Sequence, residues 1–176
     1  MSEFHPLSND EIIAKLESWG HHVNFIPYKE LCDVESLLDV MPCILLYQRM
    51  MGVAGHWCLL FMNRDKDHHP VVNYFDPTGH IPDGLITDMI PDEQDRKVMN
   101  ADFTYLIDLL LKLNNQGLKI DYNQYPLQPP DTNGCGAFCT LRLLCKQMST
   151  KEFASILMPI EPMKRELIVE KLWKIL

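Results

Sequence analysis

Cys135 stands between two glycines, in Asn133-Gly134-Cys135-Gly136-Ala137-Phe138, where a polar, proline-bounded loop runs into an apolar helical pattern. That position sets a thiol at a helix N-terminus, where unpaired backbone N–H groups and aligned peptide dipoles favour negative charge, so one helix end can both activate a thiolate and receive an oxyanion. Three other residues could complete a nucleophilic site. His56 with Trp57 heads an apolar run, Asp76 closes the next one twenty residues on, and Gln128 precedes the cysteine by seven positions. Thiol hydrolysis needs an imidazole to take the proton, a third group to orient the ring, and donors aimed at the developing oxyanion. His56, Asp76 and Gln128 supply one candidate for each role. Gly134 and Gly136 would let a substrate backbone approach the sulfur, and the Trp57 indole would pack or shield the imidazole at the substrate side.

Each residue also has a plainer reading. A Gly-Cys-Gly can be a turn with a buried thiol, a histidine at a strand end an ordinary partly buried side chain, Asp76 before Pro77 the start of an Asx turn, and Gln128 a solvated loop residue. Asn63, Asp67 and Asn73 are weaker candidates for the third member. The set carries the argument, since four residue types with complementary roles recur in one short chain. A metal site is not expected: Cys135 and Cys139 fall at i and i+4 with His68-His69 elsewhere, and the chain has no Cys-x-x-Cys pair. No cofactor is expected either.

The elements that must position these residues read as one domain over 1–176, within ordinary domain size. Ser8-Asn9-Asp10-Glu11 has capping-box spacing ahead of Ile12, Ile13 and Leu16, with Gly20 as a C-cap. A helical turn or two is expected between Glu30 and Asp39, then a buried strand at Cys43–Tyr47. Trp57–Met62 and Val71–Phe75 form a hairpin about the loop Asn63–Pro70; centring the register on that loop sets Met62 opposite Val71 and Trp57 opposite Asp76. A helix follows over Asp102–Leu113, with Phe103, Leu106, Ile107, Leu110 and Leu111 on its apolar face, then a short strand at Leu118–Tyr122. Helices are expected from Cys135 to Met148, from Thr150, and from Pro162 through Trp173. This order is α+β, a small central mixed or antiparallel sheet packed against helices.

A net charge of −8 with scattered Lys and Arg offers no track for phosphates, so nucleic acid is not expected as the main substrate. The apolar runs are far below spanning length, so no membrane partner is expected, and the first residues lack a secretory pattern. Of six cysteines, Cys43, Cys58 and Cys145 read as buried free thiols and the compartment as reducing.

The ordered set His56-Trp57, Asp76, Gln128 and Cys135-Gly136 resembles the adenain and ubiquitin-like-protein-specific (SUMO-deconjugating) cysteine proteases over roughly 42–145. The phrases Ile44-Leu45-Leu46-Tyr47-Gln48, Gly55-His56-Trp57, Tyr74-Phe75-Asp76-Pro77-Thr78-Gly79, and Tyr125-Pro126-Leu127-Gln128 leading to Cys135-Gly136-Ala137-Phe138-Cys139 are similar to the virion maturation proteases of virophages, polinton-type elements and large DNA viruses. The resemblance implies a papain-like fold, His56 as general base, Asp76 as its orienting acid, Cys135 as nucleophile and Gln128 as oxyanion donor. It implies capsid or structural precursor proteins as partners, cleaved near small residues of Gly-x type, in the virion or host-cell interior. An isopeptidase that removes a ubiquitin-like modifier is the alternative. Asp76 follows the SUMO-protease pattern where adenain has glutamate, and the Gln128-to-Cys135 spacer is one residue longer than is usual in the SUMO proteases. Adenain is stimulated by DNA and by a disulfide-linked peptide; the acidic balance lends no support to DNA, and only Cys32 suggests a tether for a peptide activator.

Overall fold

The computed structural model describes residues 5–48, 55–86, 92–98 and 104–176. Five strands form one sheet in chain order: β1 (Asn24–Pro27), β2 (Cys43–Tyr47), β3 (His56–Arg64), β4 (Pro70–Phe75) and β5 (Lys119–Tyr122). β2, β3 and β4 are antiparallel, and the two outer pairs, β1 with β2 and β4 with β5, are parallel, so the sheet is mixed. The helices are α1 (Asn9–Ser18), α2 (Glu93–Val98), α3 (Tyr105–Asn115), α4 (Cys135–Leu144), α5 (Thr150–Leu157) and α6 (Pro162–Ile175). The α+β expectation holds.

Strand alternation divides the core in two. Ile44, Trp57, Leu59, Phe61 and Phe75 face one way and pack with Ile12 and Leu16 of α1, Ala137, Phe138 and Cys139 of α4, Phe153 of α5 and Val169 of α6. Cys43, Leu45, Tyr47, Cys58, Leu60, Val72 and Tyr74 face the other way, against Leu106, Leu109, Leu110 and Leu113 of α3 and the short 3₁₀ segments Tyr28–Asp33 and Leu37–Asp39. Those segments are the helical turns expected between Glu30 and Asp39.

Several local signals act as their chemistry dictates. Ser8 and Glu11 make the reciprocal capping box at the start of α1, and Gly20 just beyond it takes φ +77°. A second capping box, Ser149 with Glu152, opens α5. Helix α4 stops near Leu144 rather than Met148 because Arg142, fully buried, turns its guanidinium onto the Cys145 and Met148 carbonyls at 3.0 Å each. The same guanidinium lies over the Phe61 and Phe153 rings, 4.7 and 5.2 Å from their centroids, which ties the C-terminal end of α4 to β3 and α5.

Three expectations are corrected. The β3–β4 register sets Met62 opposite Val72 and Asn63 opposite Val71, one residue from the centred expectation. The loop is five residues, Asp65–His69, shaped by the Asp65 carboxylate accepting from the Asp67 and His69 N–H groups and by His68 at φ +65°, so the centre of the hairpin moves by half a residue. On α3, Leu111 faces solvent and Leu109 takes its place in the core; Asp102 and Phe103 lie outside the described residues. Cys145 is only partly buried, while Cys43 and Cys58 are buried as expected.

Candidate functional site

His56 is the first residue of β3, and Asp76 follows directly on the last residue of β4. Continuing the observed register by one step sets Asp76 across from Cys58, and Cys58 shares the strand face of His56 two residues away. The one-residue correction therefore brings the carboxylate to the imidazole's side of the sheet, where the centred register would have turned it to the Trp57 side. His56 Nε2 and Asp76 Oδ1 are 2.9 Å apart. With Nε2 engaged, Nδ1 is the ring nitrogen left for a thiol, and the Cys58 and Cys135 thiols both lie near enough to the ring to act on its protonation.

Asp76 is fully buried and built into a turn. Its Oδ1 also accepts from the Thr78 N–H at 2.7 Å and the Thr78 hydroxyl at 2.6 Å, and Oδ2 lies 3.6 Å from His80 Nδ1. Because the Thr78 hydroxyl donates to Asp76, His80 Nδ1 must be the donor in its 2.7 Å contact with that oxygen. Burial works against the carboxylate, yet the hydrogen bonds from His56 and Thr78, with the His80 ring close by, hold Asp76 far below the ordinary carboxylate range. Burial likewise works against protonation of His56, and it is outweighed by the neighbouring Cys58, Asp76 and Cys135, which push the imidazole well above its usual value. The Asp76 carboxylate is the partner that carries this effect at neutral pH, since burial pushes the Cys58 thiol up to about 12 and keeps it neutral.

Cys135 opens α4 and is 7% exposed. One turn on, the Cys139 thiol donates to the Trp57 carbonyl at 3.4 Å, pinning α4 to the strand that carries His56. The flanking glycines serve packing. A Cβ at Gly136 would meet Ile12 Cδ1 at 2.8 Å and Leu7 Cβ at 3.2 Å, and one at Gly134 would fall inside the Glu166 carboxyl group. The space they free is filled by the protein's own side chains, so what they could offer a substrate is backbone. Trp57 is buried too, edge-on to Phe25 with ring centroids 5.7 Å apart, its indole N–H donating to the Leu7 carbonyl at 2.9 Å. It packs on the α1 and α4 side of the sheet.

Gln128 lies in a loop tied to the turn after Asp76. The Leu127 and Gln128 N–H groups both donate to the Pro77 carbonyl at 2.8 Å, and Gly79, at φ +82°, packs so closely on Tyr125 and Pro126 that a Cβ would come within 2.9 Å of the Pro126 nitrogen. The Gln128 Nε2 donates to the Thr132 carbonyl at 2.9 Å and approaches the Thr132 hydroxyl at 3.2 Å. Asn63 and Asn73, the weaker candidates beside Asp76, pair with each other near the hairpin loop, at the opposite end of β3 from His56, and Asp67 lies in that loop.

Three residues of this neighbourhood escape a sequence reading. Cys58 appears there only as one more apolar strand position. Asn123, fully buried, donates to the Asp76 carbonyl at 2.6 Å and the Tyr125 carbonyl at 2.9 Å and accepts from the Tyr125 N–H at 3.0 Å, clamping the Gln128 loop to the Asp76 turn. Glu166 of α6, fully buried, sets its carboxyl against Gly134. Of these, only Asn123 carries a readable signal, an Asx-turn former directly after a strand.

Among the described residues, two groups bring metal-ligating atoms within 4.8 Å of one another: His56, Cys58 and Asp76, and Asp65, Asp67 and His69. The first could take an ion only by giving up the imidazole–carboxylate hydrogen bond, and in the second Asp65 is already engaged by Lys119 and two backbone N–H groups. No described helix is long and apolar enough to cross a membrane.

Fold and site together define an α+β protein that gathers a thiol, an imidazole and a carboxylate where a helix N-terminus meets the end of a strand pair. No protein-family model matches the chain. The uncharacterized protein V9 of Sputnik virophage is 32% identical to it over 153 residues, spanning 84% of this chain and 80% of that protein. The chain belongs to the same virophage protein family as V9.

Proposed function

We propose that this chain is a cysteine endopeptidase of papain-like, adenain-like architecture that cleaves structural precursors during virion maturation. The observation that carries the reading is the contact of one imidazole with both a buried carboxylate and a thiol at the first position of a helix. Of the two thiols beside that ring, Cys135 is the nucleophile. Cys58 is fully buried in mid-sheet, accepts from the Tyr74 hydroxyl at 3.4 Å and stays protonated to about 12, whereas Cys135 keeps 7% exposure at the first position of α4, the helix end that favours a thiolate.

In this mechanism His56 takes the Cys135 proton and the thiolate attacks a peptide carbonyl carbon. The resulting oxyanion is held by the Cys135 N–H and the Gln128 amide. Both hydrogen bonds of the Gln128 amide nitrogen go to Thr132, at 2.9 and 3.2 Å, so at least one is given up when the oxyanion forms. The imidazolium returns its proton to the departing amine as the C–N bond breaks, leaving a thioester on Cys135. His56 then draws a proton from water as it attacks the thioester, and passes it back to sulfur as the acid leaves. Asp76 keeps the ring oriented and stabilises its charged form throughout.

The test is co-expression with a structural precursor encoded alongside the protein. Defined cleavage near small residues, lost in Cys135→Ala, supports the reading; unchanged cleavage by that variant means another nucleophile acts. Inert precursors together with cleavage of conjugates of a ubiquitin-like modifier would indicate the isopeptidase alternative, which uses the same machinery.

A further inference from the structure

The Glu166 carboxyl is fully buried, and neither oxygen makes a hydrogen bond of good geometry. It lies on Gly134, the N-cap of the nucleophile helix, which has no side-chain cap of its own. Two donors of the Gln128-to-Cys135 segment face it, the Gly134 N–H and the Thr132 hydroxyl, and Thr132 is the residue that holds the Gln128 amide. At present that hydroxyl is 3.0 Å from the Pro129 carbonyl. One carboxyl therefore faces two residues of the segment, Thr132, which holds the Gln128 amide, and Gly134, which precedes Cys135.

We propose that Glu166 is a positioning residue for the Gln128-to-Cys135 segment, setting through Thr132 and Gly134 where the two oxyanion donors point; this rests on the protease reading. A neutral carboxyl leaves Thr132 bonded to Pro129 and Gln128. An ionised one draws both facing donors toward itself and places negative charge one residue from the sulfur, where it opposes the thiolate and the oxyanion alike. The groups facing Glu166 are Gly134 and Thr132 from the segment and Glu170 from its own helix, whose charge also resists ionisation. The adjacent Arg165 makes no ion pair with it; its guanidinium donors point instead to the carbonyls of Pro126, Leu127, Leu157 and Ile160 at 2.8–3.0 Å. Burial pushes the Glu166 carboxyl up to about 7, so the change falls in the working range of a thiol enzyme.

The experiment compares wild type with Glu166→Gln, which keeps the shape and cannot ionise, by kcat/KM on a peptide substrate and by the rate of Cys135 alkylation with iodoacetamide, read by peptide mass spectrometry. Both ratios, variant over wild type, should climb between pH 6 and 8.5, by up to about 30-fold as the neutral carboxyl is depleted above its midpoint. Ratios that stay flat overturn the proposal. Should the chain show no peptidase activity while the alkylation ratio still climbs, the proposed function fails and the positioning role stands. Thr132→Val provides a second route: losing a donor to the carboxylate should move the alkaline fall in Cys135 alkylation to higher pH, and an unmoved fall counts against the link.

Discussion

Replacing Glu166 by glutamine should stabilise the fold at alkaline pH and do so far less under acid. In the folded chain the carboxyl titrates at about 7, against 4.5 for the ordinary group, because burial penalises its charged form. Above 4.5 the unfolded chain gives up this proton while the folded one keeps it, so stability falls as pH rises and levels off past 7. The difference of about 2.5 units amounts to roughly 3 kcal/mol in full, of which about 2.5 kcal/mol develops between pH 5 and 8. The loss of shape complementarity on substitution is the same at every pH and cancels. Urea denaturation of both proteins at pH 5, 6.5 and 8 measures it: the stability of Glu166→Gln minus that of wild type should increase by about 2–3 kcal/mol across the series. A difference that does not change with pH would refute the reasoning, because the carboxyl would then ionise as freely folded as unfolded.

Other substitutions probe the frame around the site. Asp76→Asn removes the acceptor charge for His56 and Thr78 and should cost at least about 100-fold in kcat/KM on a peptide substrate. In the same variant the His56 ring, titrated by NMR, should lose its proton at lower pH than in wild type, since the carboxylate that favours the imidazolium is gone. Asn123→Ala deletes three hydrogen bonds at the Asp76 turn and should lower stability by about 2–3 kcal/mol in chemical denaturation. Gly134→Ala forces a methyl into the Glu166 carboxyl and should cost about 1–3 kcal/mol, recovered in part when Glu166→Ala is added. Cys58→Ala should keep Cys135 reactive toward iodoacetamide, because Cys58 lies under the ring without being the attacking atom.

The residues that gather at the candidate site are more legible in the sequence than the side chains that support them. Cys135, His56 and Asp76 are legible because each sits where an apolar pattern begins or ends, and such boundaries mark element termini. The Ser8–Glu11 capping box follows from residue spacing, and so does most of the α3 face, in which Leu109 rather than Leu111 enters the core. The register of β3 on β4 was misplaced by one residue because it turns on the Asp65 carboxylate closing a five-residue loop, a hydrogen-bond choice that composition does not encode. Strand β1 is not legible in the sequence, since Asn24-Phe25-Ile26-Pro27 is too short to show alternation and depends on parallel pairing with β2. Glu166 carries no sequence signal, because its burial comes from lying against Gly134 at the start of α4, a contact between distant segments. Cys58 becomes part of the site only through pairing between strands.

Which sulfur is nucleophilic, and whether the imidazole makes it so, decides the proposed mechanism. Incubation with a glycine-terminated peptide vinyl sulfone, followed by intact-mass measurement and peptide mapping, reads both at once. One adduct, on Cys135, formed rapidly by wild type and lost in His56→Ala, is the predicted result. An adduct on Cys58, or labelling of Cys135 at an equal rate without His56, would contradict it.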